Sequence, residues 1–121
     1  MKPAAKPTRR VIVCGDRDYV DPYRVRETLD EQPRPFVLVH GGCRGVDTMA
    51  GVWADEHEDV TVEEHPADWT LGKVAGPMRN AEMIAAGADL VIAFPLEESR
   101  GTWNLVNLAR AKGIPVEVVK P

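Results

Sequence analysis

Four short apolar runs, each followed by a loop and then by a segment of helical periodicity, restrict the folds open to this chain more than any other feature; a fifth run closes it. Residues 11–14 (Val-Ile-Val-Cys) form a β-branched stretch ended by Gly15, the pattern of a buried strand. Asp21 offers an N-cap and Pro22 a first helical position, so a helix is expected from there to about Glu31, stopped by Pro33 and Pro35. Residues 36–39 are the second strand, running into His40 and the pair Gly41-Gly42. From Val46, the positions Met49, Ala50, Trp53 and Ala54 recur at helical spacing and predict an amphipathic helix to about His57. A weaker, more polar strand follows at residues 60–63, and then an irregular stretch. Pro77 suits the start of a third helix, which Gly87 would end as a left-handed cap. Residues 89–94 are the fourth and most apolar strand, 102–112 the last helix before Gly113, and 116–119 the last strand.

Strict β-α alternation without repeats calls for a parallel sheet covered on both faces. The expected fold class is therefore α/β: three layers, a parallel sheet of about five strands, helices on either side. A continuous apolar fourth strand agrees, since strands of such sheets are buried on both faces. A length of 121 residues fits one domain, expected over residues 10–121, with residues 1–9 a disordered lead. Lys2, Lys6, Arg9 and Arg10 mark that lead as basic, but no signal-peptide core follows and no run is long enough to span a bilayer, so a cytoplasmic protein with no membrane partner is expected. Fifteen basic against nineteen acidic residues, a formal charge of −4, argue against a dedicated nucleic-acid binder. Cys14 and Cys43 are too few for a disulfide framework and read first as small buried residues beside tight loops, with a reactive thiol the alternative. His40, His57 and His65 match no zinc spacing, so no metal is expected.

Ligands of open parallel sheets bind beyond the carboxyl ends of the strands, and there the unusual residues of this chain collect. Gly15-Asp16-Arg17 leaves the first strand; Arg17 either forks onto a phosphate or carboxylate or pairs with Asp18 or Asp21. Gly41, Gly42, Arg44, Gly45 and Asp47 form a glycine-rich loop opening a helix, an arrangement that brings an anion onto helix N-terminal N–H groups. It lacks the Gly-Lys-Ser/Thr of a P-loop and the GxGxxG dinucleotide fingerprint, and Asp47 serves either the helix dipole or a ribose or base. Asp68-Trp69 could stack and hydrogen-bond a base, or Trp69 could cover the core. Arg79 and Asn80 are placed in the first turn behind Pro77, where a cation conflicts with the macrodipole unless it meets an anion. Ser99, Gly101 and Thr102 precede the last helix as anion ligands, as caps, or as both.

Taken in order, these segments resemble the YspA-like, cpYpsA-related branch of the SLOG superfamily, the SMF/DprA–LOG group of Rossmann-like domains. The resemblance spans Val11 to Val119 and is carried most specifically by Pro66-Ala67-Asp68-Trp69, then by Ala75-Gly76-Pro77-Met78-Arg79-Asn80 with Met83, with support from Gly45-Val46-Asp47 and Gly101-Thr102. It implies a nucleotide or nucleotide-derived ligand related to NAD or ADP-ribose, and no obligatory cofactor. Relatives often carry Pro-Gly-Gly before the Gly-Thr; here the segment is Pro95-Leu96-Glu97-Glu98-Ser99-Arg100, which would alter ligand choice or close the phosphate pocket. Enzymatic relatives, the cytokinin-activating phosphoribohydrolases, break an N-glycosidic bond with an Arg and a Glu. Arg79 would be the Arg, but Asn104 stands two residues after Thr102, leaving Glu98 or Glu82 as a substitute acid.

Three readings follow. The first is a nucleotide-derivative binding domain acting as sensor or accessory module. The second is an N-glycosidic hydrolase with Arg79, Asp47 and Glu98 as candidate catalytic residues. The third, a DprA-like nucleic-acid accessory protein, is opposed by the acidic balance. Helix faces carrying Leu105, Leu108 or Trp53 are where a homodimer would be expected to form.

Overall fold

In the computed structural model, residues 8–121 are described; the expected disordered lead falls mostly outside them. Five strands, β1 (Arg10–Gly15), β2 (Phe36–His40), β3 (Val60–Glu64), β4 (Leu90–Phe94) and β5 (Val116–Val118), form one parallel sheet in the order β3-β2-β1-β4-β5. Four α-helices connect them: α1 (Pro22–Asp30), α2 (Val46–Asp55), α3 (Ala75–Ala86) and α4 (Arg100–Ala111). The fold is the expected α/β, three-layer Rossmann-like architecture. From β1 the chain winds outward to β3, returns to place β4 on the other side of β1, and winds outward again. The loops leaving β1 and β4 therefore diverge to opposite faces, and a crevice opens between them.

Strand alternation sorts the side chains into two cores. Val11, Val13, Leu38, Ile92 and Phe94 face one layer with Val25 and Leu29 of α1 and Ala50 and Trp53 of α2. Ile12, Cys14, Val39, Val91 and Ala93 face the other, with Met83 and Ile84 of α3 and Leu105, Val106 and Ala109 of α4. The β1 and β4 residues of both sets are buried, which is why Val11–Cys14 and Leu90–Phe94 are apolar throughout. Asp21 caps α1, accepting from the Arg24 N–H at 3.1 Å, with Pro22 just inside the helix.

Three expectations change. Residues 69–74, expected to be irregular, form a 3₁₀ segment, η1 (Trp69–Val74), which runs straight into α3. That helix consequently starts at Ala75, two residues before Pro77, and Arg79 and Asn80 stand beyond its first turn. Pro77 is still tolerated because N–H groups of a first helical turn have no intrahelical acceptor. Gly87 ends α3 at positive φ (90°) but with ψ of 149°, outside the left-handed helical region. Trp53 and Leu105 are not dimer-face residues: both are buried, at 0% and 1% exposure. The Trp53 indole stacks on Phe36 and His57 and donates its N–H to Asp30 Oδ1 at 2.8 Å, tying α2 to α1. No helix among the described residues is long and apolar enough to cross a membrane.

Candidate functional site

A cavity of about 350 Å³ lies at the carboxyl ends of β1, β2 and β4, and every loop singled out in the sequence contributes to its wall or rim. Its β2 side is organised by Asp47. This carboxylate, 6% exposed, accepts hydrogen bonds at Oδ2 from the N–H groups of Gly41 and Cys43, both at 3.1 Å, while the Gly42 N–H donates to His40 Nδ1 at 2.9 Å. The glycine-rich loop is thus folded around the Asp47 carboxylate, which holds two of its N–H groups while His40 holds a third. The N-cap residue of α2 is Gly45, which has no side chain to satisfy the helix and packs against the backbone of Asp16 and Arg17. Gly45 is required twice over: φ is +79°, and a Cβ there would come within 2.4 Å of the Asp16 carbonyl. Burial raises the Asp47 carboxyl above its ordinary range, countered by the Cys43 N–H and the neighbouring Arg79 charge.

Arg79 is the central cation. It is 9% exposed, and its guanidinium donates from Nη1 to the Gly41 carbonyl at 2.8 Å and from Nε to Asn80 Oδ1 at 3.0 Å. Asn80 in turn donates through Nδ2 to Asn104 Oδ1 (2.9 Å) and to the Gly101 carbonyl (3.2 Å), so α3 is clamped to the start of α4. Gly41 allows the close approach of the arginine, since a Cβ at that position would meet Nη1 at 2.0 Å. None of the ion pairs among the described residues includes Arg79. It is a buried positive charge held directly by carbonyl oxygens, with the Asp47 carboxyl nearby but in no salt bridge with it, at the wall of the cavity.

The β1 and β4 loops are joined. Asp16 donates its N–H to the Phe94 carbonyl, and the Ser99 hydroxyl donates to Asp16 Oδ2 at 2.7 Å while accepting from the Leu96 N–H at 2.7 Å. Ser99 occupies the N-cap position of α4 yet makes no capping hydrogen bond, because its hydroxyl is spent on this junction. The α4 start, with Gly101 and Thr102, lines the cavity. The acidic segment 95–100 leaves the cavity open: Leu96 packs toward the α1/α2 core, and Glu98 and Arg100 stand at the wall.

At the rim, Arg17 makes neither of the ion pairs considered for it. Its Cζ lies 5.1 Å from the Trp69 ring centroid, a cation–π contact between two exposed side chains from opposite banks. Arg44 pairs with Asp18 at 3.2 Å, both side chains largely exposed, a weak contact. Three sequence candidates do not line the main cavity: Gly42, Gly45, which instead packs on the Asp16 carbonyl, and Asp68. Asp68 caps η1, accepting from the Thr70 N–H at 3.1 Å, and Gly42 faces a neighbouring depression. Conversely, Cys14, Cys43 and Met83 line the cavity although none was a site candidate. The position of each cysteine beside a glycine at a strand end was the signal. Burial pushes the Cys14 thiol up, which suits a packing role. Nη2 of Arg79 approaches Cys43 Sγ at 3.8 Å. No group of three or more His, Cys, Asp or Glu among the described residues could hold a metal ion.

Charged side chains at this cavity balance: Arg17, Arg44, Arg79 and Arg100 face Asp16, Asp18, Asp47 and Glu98. Such a wall suits a ligand that carries both anionic groups and hydroxyl donors better than a bare polyanion. Residues 9–72 match the YAcAr family, described as the YspA, cpYpsA-related SLOG family. The chain is similar to the Gene 61 protein of Mycobacterium phage D29, with 44% identity over 117 residues, 89% of this chain and 94% of that protein. No solved structure matches it.

Proposed function

Because this chain belongs to the YspA, cpYpsA-related SLOG family, we propose that it is a binding domain for a nucleotide or nucleotide-derived small molecule, serving as a sensor or accessory module. The observation that carries this reading is Arg79: a guanidinium nine-tenths buried, in no salt bridge among the described residues, at the wall of a cavity that the N-terminus of α4 also lines. A buried cation is costly unless an anion meets it, and helix N-termini favour the same charge. The phosphate of the ligand would lie against Arg79 and the α4 start, and the acidic groups would accept from ribose hydroxyls. Family membership supports the nucleotide-related part of this reading, and the balanced wall supports a small molecule over a nucleic acid.

Thermal unfolding with and without NAD, ADP-ribose, AMP and other nucleoside monophosphates tests it. A ligand present at about 100 times its Kd stabilises the native state by about 2.7 kcal/mol. The expected result is a rise in Tm with at least one compound, abolished in Arg79→Ala. A flat response across the whole series would remove the proposal.

A further inference from the structure

Nucleotide binding gives the two cysteines no task, and their surroundings differ. Cys14 is packed into the α3/α4 core layer, and burial pushes its thiol up. Cys43 is half-buried in the loop between β2 and α2, and besides the main cavity it lines a second one, of about 390 Å³, together with Pro66 and Ala67. Small solutes reach this residue from either side. Its backbone is pinned at both ends of the peptide unit: the N–H donates to Asp47 Oδ2 at 3.1 Å, and the carbonyl accepts from the Thr48 hydroxyl at 3.0 Å.

A second observation concerns what faces the sulfur. Arg79 directs Nη1 and Nη2 at Cys43 Sγ, at 3.9 and 3.8 Å. Nη1 is also held by the Gly41 carbonyl and Nε by Asn80 Oδ1, whereas Nη2 has no acceptor among the described residues except this sulfur. Sulfur is a weak acceptor. A guanidinium nine-tenths buried and in no salt bridge therefore ends in N–H donors with no oxygen to meet them. An oxygen added to Sγ on that side comes within ordinary hydrogen-bond reach of Nη2, and an anionic oxygen makes the stronger, charge-assisted bond.

We propose that Cys43 is a modification site, oxidised by hydroperoxides to a sulfenate that Arg79 holds. The ionised sulfur attacks the outer peroxide oxygen; the S–O bond forms as the O–O bond breaks, and the departing oxygen takes a proton to leave as water or an alcohol. Sulfur loses the electron pair that the peroxide gains. The sulfenic acid then ionises to solvent, and its oxygen accepts from Nη2. The proposal goes beyond the nucleotide-binding reading and does not depend on it.

The test treats the reduced full chain with a small excess of hydrogen peroxide near neutral pH, traps sulfenic acid with dimedone and locates the label by peptide mass. Label is expected on Cys43 and not on Cys14. The rate is compared in Arg79→Gln and in Gly41→Ala, whose added Cβ displaces the guanidinium, each with a Tm showing that it folds. Either folded variant should label Cys43 about tenfold more slowly, the worth of one hydrogen bond to a charged group. No label on Cys43, label on Cys14 at the same rate, or an unchanged rate in the folded variants would overturn the proposal. None of these readouts uses a nucleotide, so a failure to bind nucleotides would leave it standing.

Discussion

Removing the Asp47 carboxylate is the perturbation that most directly tests how the glycine-rich loop is held. In Asp47→Ala, the Gly41 and Cys43 N–H groups lose their common acceptor. An unsatisfied buried donor costs about 1–3 kcal/mol. Gly41 is buried and carries that cost in full; Cys43 is half-buried and regains part of it from water. Against this stands the relief of a buried carboxylate whose protonation is favoured by desolvation. The net expectation is a loss of about 2–3 kcal/mol, which for a domain of this length lowers Tm by about 10 °C. Asp47→Asn keeps an acceptor of the same shape and should remain within about 1 kcal/mol of the unmodified chain near neutral pH. Its pH dependence adds a signed check. A folded-state carboxyl raised above its unfolded value takes up a proton on folding, so its contribution to stability falls as pH rises from the ordinary carboxylate range through the raised value. Across that window Asp47→Asn should therefore gain stability relative to the unmodified chain. Urea unfolding of the three proteins at several pH values provides the measurement. An Asp47→Ala protein as stable as the unmodified chain, or an Asp47→Asn protein as damaged as Asp47→Ala, would refute the reasoning.

Other outcomes follow from the same contacts. Gly45→Ala combines positive φ with a Cβ pressed on the Asp16 carbonyl, so urea unfolding should show a loss of about 2 kcal/mol or more. Gly41→Ala meets a movable side chain instead, and should cost less stability than Gly45→Ala while displacing Arg79 and eliminating the ligand-induced Tm rise. Glu63, at 2.6 Å from Arg10 and 2.7 Å from His65, is held at about 2, first by the arginine hydrogen bond and then by the histidine. The stability contributed by this depressed carboxyl is present above the ordinary carboxyl value and lost as pH falls toward about 2. Acid unfolding of Glu63→Gln should accordingly show a shallower decline across that interval than the unmodified chain; an identical slope would contradict the assignment.

The sheet and its helices were legible because their signals are local. β-branched runs bounded by glycine and proline, the Asp21-Pro22 start of α1, and the spacing of Ala50, Trp53 and Ala54 each report the conformation of a few adjacent residues. Residues 69–74 were not legible as a helix, because a short 3₁₀ segment containing Gly72 at positive φ has no sustained periodicity to detect. The start of α3 was displaced as a consequence, and with it the expected position of Arg79. Trp53 shows a second limit: its spacing placed it on the apolar face of α2 but not which partner covers that face, and a dimer was expected there; Phe36 and Asp30, which only the packed fold brings to it, bury it instead.

At the candidate site, sequence by itself determined that glycines, arginines and helix starts gather at one end of a parallel sheet, because strand–loop–helix order dictates which end each loop occupies. Tertiary structure alone decided what those groups do there. Asp47 turns inward to hold Gly41 and Cys43; Ser99 leaves its cap to join Asp16 across 83 residues of chain; Arg17 ignores nearby acids for Trp69. The physical reason is common to all three. Hydrogen bonds and cation–π contacts depend on distances of a few ångströms between segments far apart in the chain, and those distances are set by how the helices pack on the sheet rather than by any residue's immediate neighbours.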